Sequence, residues 1–349
     1  MSEPDLIFRI EGGVGRISLN RPQAIHALTH GMCQAMLAAL VAWKADPAVR
    51  LVMIDHASGR GFCAGGDIRM LAESGYGDGR EGAAFFHLEY QLNHLMFVYP
   101  KPIVAFVDGI VMGGGAGISL PCPFRVATER TTFAMPETAI GLFPDVGGSW
   151  HLTRLPKRAG WWLGLTGARI KAADSARLGL TTHTVAFDAL DALKAAICEN
   201  PAALESLLAA ADTPPGPAPV DEHLAEIEQA FSTDSIEDVI AALEAGSPWA
   251  QEQATVVKTR SPQSMKVTWR LLAAAAAAAD FADVMRLEYR VSSRIIRTHD
   301  FLQGVRAAIV VKDNDPRWYP PTLTDTPDAA IDRLLADLPP GQEWTPLKP

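Results

Sequence analysis

Cysteine is scarce: the 349 residues hold four, and Cys33, Cys63, Cys122 and Cys198 stand far apart. That spacing excludes a disulfide framework. With no CxxC pair and no Cys/His cluster it gives no zinc site either, so reduced thiols in a cytoplasmic setting and no bound metal are expected. Positive charge is also in deficit, with 31 Lys and Arg against 40 Asp and Glu and a net charge of -9. A chain this acidic, without basic blocks, is not expected to bind nucleic acid or anionic membranes. Backbone amides and local charges still allow a phosphorylated ligand. No apolar run reaches the length of a membrane span. The start, Met1-Ser2-Glu3-Pro4-Asp5, lacks the apolar stretch of a signal peptide and the arginines of a transit peptide. There is no GxGxxG followed by a distant acid, and no GxSxG elbow, which removes the dinucleotide fingerprint and the serine-triad hydrolase. His26, His94, His151 and His183 have no acid or nucleophile at a telling spacing.

Hydrophobic residues make up 48%, so the chain can bury a large core as one big domain with an appendage, or as two domains. Apolar and β-branched runs predict strands over residues 16–20, 49–55, 102–107, 124–127 and 131–134, with a closing strand over 181–186. Between them, helices are expected from Thr29, as a cap, to Trp43, and over 81–97, 150–166 and 172–178. This alternation argues for an α/β fold. Thr213-Pro214-Pro215-Gly216-Pro217-Ala218-Pro219 breaks the composition and reads as a linker or exposed loop. Helical patterns follow over 220–231, 235–244, 248–260, 262–279 and 282–297. The alanine run 273–279 reads as a tightly packed helix, and Trp318-Tyr319-Pro320-Pro321 as the end of ordered structure.

Two glycine-rich turns carry the chemical signal. Gly61-Phe62-Cys63-Ala64-Gly65-Gly66-Asp67-Ile68 follows the strand ending at Asp55. Met112-Gly113-Gly114-Gly115-Ala116-Gly117 follows the one ending at Val107. Either turn alone is as consistent with helix packing as with ligand binding. Together they place N–H groups at two helix starts, where partial positive charge gathers. Two such donors can hold an oxyanion, which points to chemistry on an acyl carbonyl. Asp67 reads as a helix cap, and Ser119 as a packing residue. Two acids come next. Glu137 sits among Met135, Ile140, Leu142 and Phe143, company that raises a carboxyl pKa if the site is buried. An exposed loop glutamate is the other reading. Asp145 lies between Pro144 and Val146-Gly147-Gly148 and is either a functional acid or an N-cap for a helix starting at Ser149.

These residues resemble the crotonase (enoyl-CoA hydratase/isomerase) superfamily. The likeness runs through Ile17-Ser18-Leu19-Asn20-Arg21-Pro22, Cys63 to Ile68, Lys101-Pro102-Ile103-Val104-Ala105, the glycine triplet and Pro136-Glu137. It implies a spiral of ββα units binding acyl-CoA thioesters, often assembled as homo-oligomers, with residues 1–200 as the core and 201–349 as a helical region. The oxyanion amides map to Gly66 and Gly114. Typical hydratases use two glutamates; the first would fall at Gly117 here, and only Glu137 remains. Asp145 stands where they carry a small residue.

That pattern resembles the 3-hydroxyisobutyryl-CoA hydrolase branch, also in Phe124 to Glu129, Phe133 to Gly148, Ser261-Pro262, His299-Asp300-Phe301, Gly304 to Ala307 and Lys312-Asp313 through Trp318. His26 departs from the family's usual Asn. The resemblance implies hydrolysis of a short 3-hydroxyacyl-CoA, a step of valine breakdown, with CoA as part of the substrate and no separate cofactor. Glu89, Gly114, Glu137 and Asp145 would line the site together with Ala64, Gly65, Gly66, Asp67 and Ile68. A lyase or isomerase of the same superfamily, and a non-catalytic acyl-CoA-binding protein, are the alternatives.

Overall fold

A computed structural model describes residues 4–347. Its ten strands are β1 (Leu6–Glu11), β2 (Val14–Leu19), β3 (Leu51–His56), β4 (Gly61–Cys63), β5 (Ile103–Phe106), β6 (Ile110–Met112), β7 (Phe124–Ala127), β8 (Thr132–Ala134), β9 (Ile170–Lys171) and β10 (His183–Thr184). A six-stranded sheet runs β1-β2-β3-β5-β7-β10 and a four-stranded one β4-β6-β8-β9. Only the β1–β2 and β8–β9 pairs are antiparallel. The chain lays one strand in the larger sheet and the next in the smaller: β3 then β4, β5 then β6, β7 then β8. This is an α/β spiral of repeated strand pairs. Because β3 and β5 are buried on both faces, they read as apolar runs rather than alternating ones.

The contacts divide the chain into two compact units. The first runs up to Gly66 and adds Gln91–Ala134 and Arg169–Pro219. Both sheets belong to it. Val14, Leu51, Met53, Val104, Phe106, Val126 and Val185 pack against Leu190, Leu193, Ile197, Leu204 and Leu208 of helices Leu190–Glu199 and Leu204–Ala211. Side chains alternate across a strand, so Gly15 faces the other way from Val14. A Cβ there would lie 2.6 Å from the Trp43 ring, which places helix His30–Ala45 on the opposite face. Thr29 caps that helix, accepting from the Met32 amide at 3.2 Å.

Asp55, fully buried on β3, is the hub of this unit. It meets Arg16 Nη2 at 2.7 Å, Ser18 Oγ at 2.6 Å and Lys194 Nζ at 3.1 Å. Burial pushes its carboxyl up, but the Lys194 and Arg16 charges and the hydrogen bonds from Ser18 and Arg16 together outweigh that and hold it below its ordinary value. The Pro-rich stretch begins beside the sheet, where Thr213 donates its amide to the Thr184 carbonyl at 2.6 Å.

The second unit comprises Asp67–Tyr90, Met135–Ala168 and the chain from Val220 onward. Its described residues form helices and connecting loops, with no strand. The region expected as one helix over 150–166 is two, Gly148–Thr153 and Ala159–Thr166. Pro156 cannot donate to a helical ladder, and Lys157 and Arg158 turn to positive φ. The helix expected from residue 220 starts at Leu224. The alanine run is helical to Ala277, but of Ala273 to Ala277 only Ala275 is buried, so it is no tight seam. Order also continues past Pro321, with helix Asp328–Leu335 and the fully buried Trp344, whose Nε1 donates to the His87 carbonyl at 3.2 Å. Asp300 ties three segments of this unit. It accepts from Ser261 Oγ at 2.5 Å and the Tyr319 amide at 2.8 Å, and the Ser261 amide donates to the Thr138 carbonyl at 3.2 Å.

Removing one member of a buried charged network strands the rest. Asp55→Ala is expected to lower stability by about 3 kcal/mol or more in urea unfolding. Arg9→Ala, at a half-exposed pair with Glu11, is expected to change it by less than about 1 kcal/mol.

Candidate active site

The first unit brings the two glycine turns together. β4 leads into Ala64, whose amide donates to the Ile25 carbonyl at 2.9 Å, and Leu28 donates to the Gly65 carbonyl at 2.8 Å. Gly65 has φ +125°, and a Cβ on it would lie 3.8 Å from the Gly114 nitrogen. Gly115 touches Cys63 so closely that its own Cβ would fall 2.4 Å from the Cys63 carbonyl oxygen. No larger residue fits there. Gly114 opens the short helix Gly114–Gly117, so its N–H has no partner within that helix. Gly117, at the position of the first hydratase glutamate, is buried, and its carbonyl accepts from Asn93 Nδ2 at 3.0 Å. Ser119 gives its hydroxyl to the Gly115 carbonyl at 2.7 Å, a packing role. In the second unit, Asp67 caps helix Ile68–Tyr76 through the Met70 amide at 3.3 Å.

His26 staples the first loop. It accepts from the Arg21 amide at Nδ1 (2.9 Å), which leaves Nε2–H to donate to the Ser58 carbonyl at 2.8 Å. Burial lowers its pKa, with the Ser58 contact opposing. Its φ of +54° lies in the left-handed region, which histidine enters more readily than most residues other than glycine.

The second unit holds the acids. Glu89 and Tyr90 lie on helix Arg80–Phe97, Glu137 opens the 3-10 turn Glu137–Ile140, and Asp145 follows Pro144. Glu89, Glu137 and Asp145 are each at least 95% buried. Glu137 is therefore the buried acid of the two readings. Asp145 is not a helix cap: the cap of Gly148–Thr153 is Gly147, and Asp145 Oδ2 accepts from the Tyr90 hydroxyl at 2.9 Å. Burial first, and then the Asp145 charge, raise both Glu89 and Glu137 well above the usual carboxylate range. Burial likewise raises Asp145, against the Tyr90 hydrogen bond. Glu89 Oε1 and Glu137 Oε2 are buried with no hydrogen-bond partner. Such atoms are costly unless a ligand or water meets them.

A fourth acid was not read from the sequence. Glu288 of helix Phe281–Ile295 is fully buried and accepts from the Gly147 amide at 2.7 Å and the Ser149 amide at 3.0 Å. Burial pushes it up to about 8, the two amides opposing and Asp145 adding to the rise. Its signal was present, for Glu288 falls on the stripe Phe281, Val284, Met285, Ser292, Ile295 that faces the core. Tyr90 and Tyr289, edge to face at 6.3 Å, were also passed over.

Comparison with known proteins gives the frame. The profile of the enoyl-CoA hydratase/isomerase family matches residues 14–335. A Gallus gallus protein named 3-hydroxyisobutyryl-CoA hydrolase, mitochondrial, is 40% identical over 347 residues, covering 97% of this chain and 90% of that one. A solved structure described as a carnitinyl-CoA dehydratase from Mycobacterium thermoresistibile is 40% identical with a TM-score of 0.94, covering 98% of this chain and 99% of that one. Another, an enoyl-CoA hydratase from Rhodobacter sphaeroides 2.4.1, is 38% identical with a TM-score of 0.91, covering 98% and 100%. The chain belongs to the enoyl-CoA hydratase/isomerase family.

Raised carboxyl pKa values make the folded state bind more protons than the unfolded one, so stability falls as pH rises through the folded value. The lowered histidines act oppositely, but only up to their ordinary value of 6.5. Between pH 6.5 and about 8, where Glu288 titrates, the acids decide the sign. One such group accounts for up to about 2 kcal/mol across that window. The melting temperature is expected to drop by a few degrees from pH 6.5 to 8 in scanning calorimetry, and a flat or rising trend contradicts it.

Proposed function

We propose that this protein hydrolyses a short 3-hydroxyacyl-CoA thioester, 3-hydroxyisobutyryl-CoA above others, to the 3-hydroxy acid and CoA. The observation that carries this is the acid set: Glu137 and Asp145 are both buried, Asp145 under a tyrosine hydroxyl, while the position of the first hydratase glutamate is the glycine Gly117. The name of the Gallus gallus relative agrees. In this reading the Gly66 and Gly114 amides take the charge that develops on the thioester oxygen, a contribution of about 3 kcal/mol for each donor. Glu137 removes a proton from the attacking water. Equally, it adds to the carbonyl carbon and forms a mixed anhydride that water opens. In both routes the C–S bond breaks and CoA leaves as thiolate, which a thiol of pKa about 8.5 does readily. Hydrolysis therefore needs no strong general acid, whereas hydration must deliver a proton to carbon. Asp145, oriented by Tyr90, holds the substrate hydroxyl. Glu89 lines the site with Ala64, Gly65, Asp67 and Ile68.

The proposal includes no cofactor, since water is the only other reactant. It includes a homo-oligomer, which sedimentation tests. We also assign the protein to the cytoplasm. None of its four cysteines forms a disulfide, as a reducing compartment requires, and among the described residues no helix is long and apolar enough to cross a membrane. The name of the Gallus gallus relative places that protein in mitochondria.

CoA release from 3-hydroxyisobutyryl-CoA, with crotonyl-CoA absorbance followed in parallel, tests the reading. Release that is lost in Glu137→Gln, with acyl-CoA binding retained, is expected. Loss of crotonyl absorbance without CoA release would mean a hydratase, and binding without turnover an acyl-CoA-binding protein. Since only ionised Glu137 is active in either route and its pKa is raised, kcat/KM is expected to fall on acidification from well above the usual carboxylate range. An acidic limb at about pH 4 would contradict that role.

A further inference from the structure

We propose that Glu288 is a positioning residue that fixes Asp145 by gripping the backbone of the turn behind it. This rests on the hydrolase reading above, because it assigns Asp145 to the substrate hydroxyl. The turn needs an external hold. Val146, a β-branched residue, has φ +56°, and Gly147 has φ +81°, regions that L side chains avoid. A Cβ at Gly147 would lie 2.5 Å from the Phe281 ring. Helix Gly148–Thr153 begins with no side-chain cap of its own; the Gly148 amide turns back to the Asp145 carbonyl at 2.7 Å, and the amides on either side of it look elsewhere.

Glu288, 141 residues beyond Gly147, replaces the cap. Its two oxygens accept separately from the Gly147 and Ser149 amides at 2.7 and 3.0 Å, bonds that strengthen when the carboxyl is ionised. The same helix also reaches the other end of Asp145. Tyr289 packs edge-on against Tyr90, and Tyr90 donates to Asp145 Oδ2 at 2.9 Å. One residue of Phe281–Ile295 thus holds the turn that follows Asp145, and the next packs against the tyrosine that bonds its side chain. The groups whose charge bears on Glu288 and its turn are Asp145, Glu137 and the Tyr90 hydroxyl, with Glu89 beyond Asp145.

A residue that merely stabilised the fold would affect every substrate alike. The hold on Asp145 matters only where a 3-hydroxyl is present. Glu288→Gln keeps the size but turns an N–H toward one of the two donors, and Glu288→Asp keeps the charge but shortens the reach. Each is assayed on 3-hydroxyisobutyryl-CoA and on isobutyryl-CoA.

For either variant kcat/KM is expected to fall by about 10- to 100-fold on the hydroxylated substrate and by less than about threefold on the other, with no further loss when Glu288→Gln is added to Asp145→Asn. Equal losses on both substrates, or full additivity, overturn the proposal. Amide hydrogen exchange gives a readout without substrate. Protection at Gly147 and Ser149 is expected to drop in the variants while Leu152 keeps its own, and unchanged protection overturns the hold. Should the wild type release no CoA, the hydrolase reading fails while the exchange measurement still decides whether Glu288 grips the turn.

Discussion

Four carboxyl groups buried together, with no lysine or arginine among the groups that shift them, set the terms for the second unit. An ionised carboxylate away from water is costly unless it is hydrogen-bonded or protonated. Glu288 takes two backbone amides and Asp145 a tyrosine hydroxyl. Glu89 and Glu137 each keep an oxygen without a partner and hold their protons more tightly. Around them lie the positive φ of Val146 and Gly147, the Phe281 ring against Gly147, and the Tyr90–Tyr289 pair.

The first unit solves the opposite problem. It must hold backbone amides still, and it does so with glycine where no side chain fits and with a network of paired charges beneath. Gly115 lies against Cys63 because nothing larger can, and that contact joins the two turns. Asp55 ties β2, β3 and helix Leu190–Glu199 through Arg16, Ser18 and Lys194. Unlike the acids of the second unit, it has two cations against it, so it titrates below its ordinary value rather than above. Burial is common to both sites, and the sign of the shift is decided by the partners.

The strands around Ile17, Ile54, Val104 and Val126 were legible because their apolar runs are long enough to carry a pattern. β4 and β6 were not, since each lies inside a stretch whose glycines read as a turn, and neither was β1, whose Phe8 and Ile10 are exposed against the hydrophobic expectation. The caps at Thr29 and Asp67 were readable from residue type alone, as both bonds are local. Asp145 was ambiguous for the same reason. Its neighbours suit an N-cap, and only the Tyr90 hydroxyl, 55 residues away in the chain, shows otherwise.

The sequence by itself determined the α/β class, the two glycine turns, Glu137 and Asp145 as the acids to watch, and the glycine where a second glutamate would stand. These are matters of residue type and short spacing, which a linear chain displays. The tertiary structure decided that Glu137 is buried, that Asp145 belongs to a tyrosine rather than to a helix end, and that Glu288 joins them. Burial and partnership between residues 141 positions apart are set by how distant helices pack, and the free energy of a buried carboxyl depends on those neighbours in space.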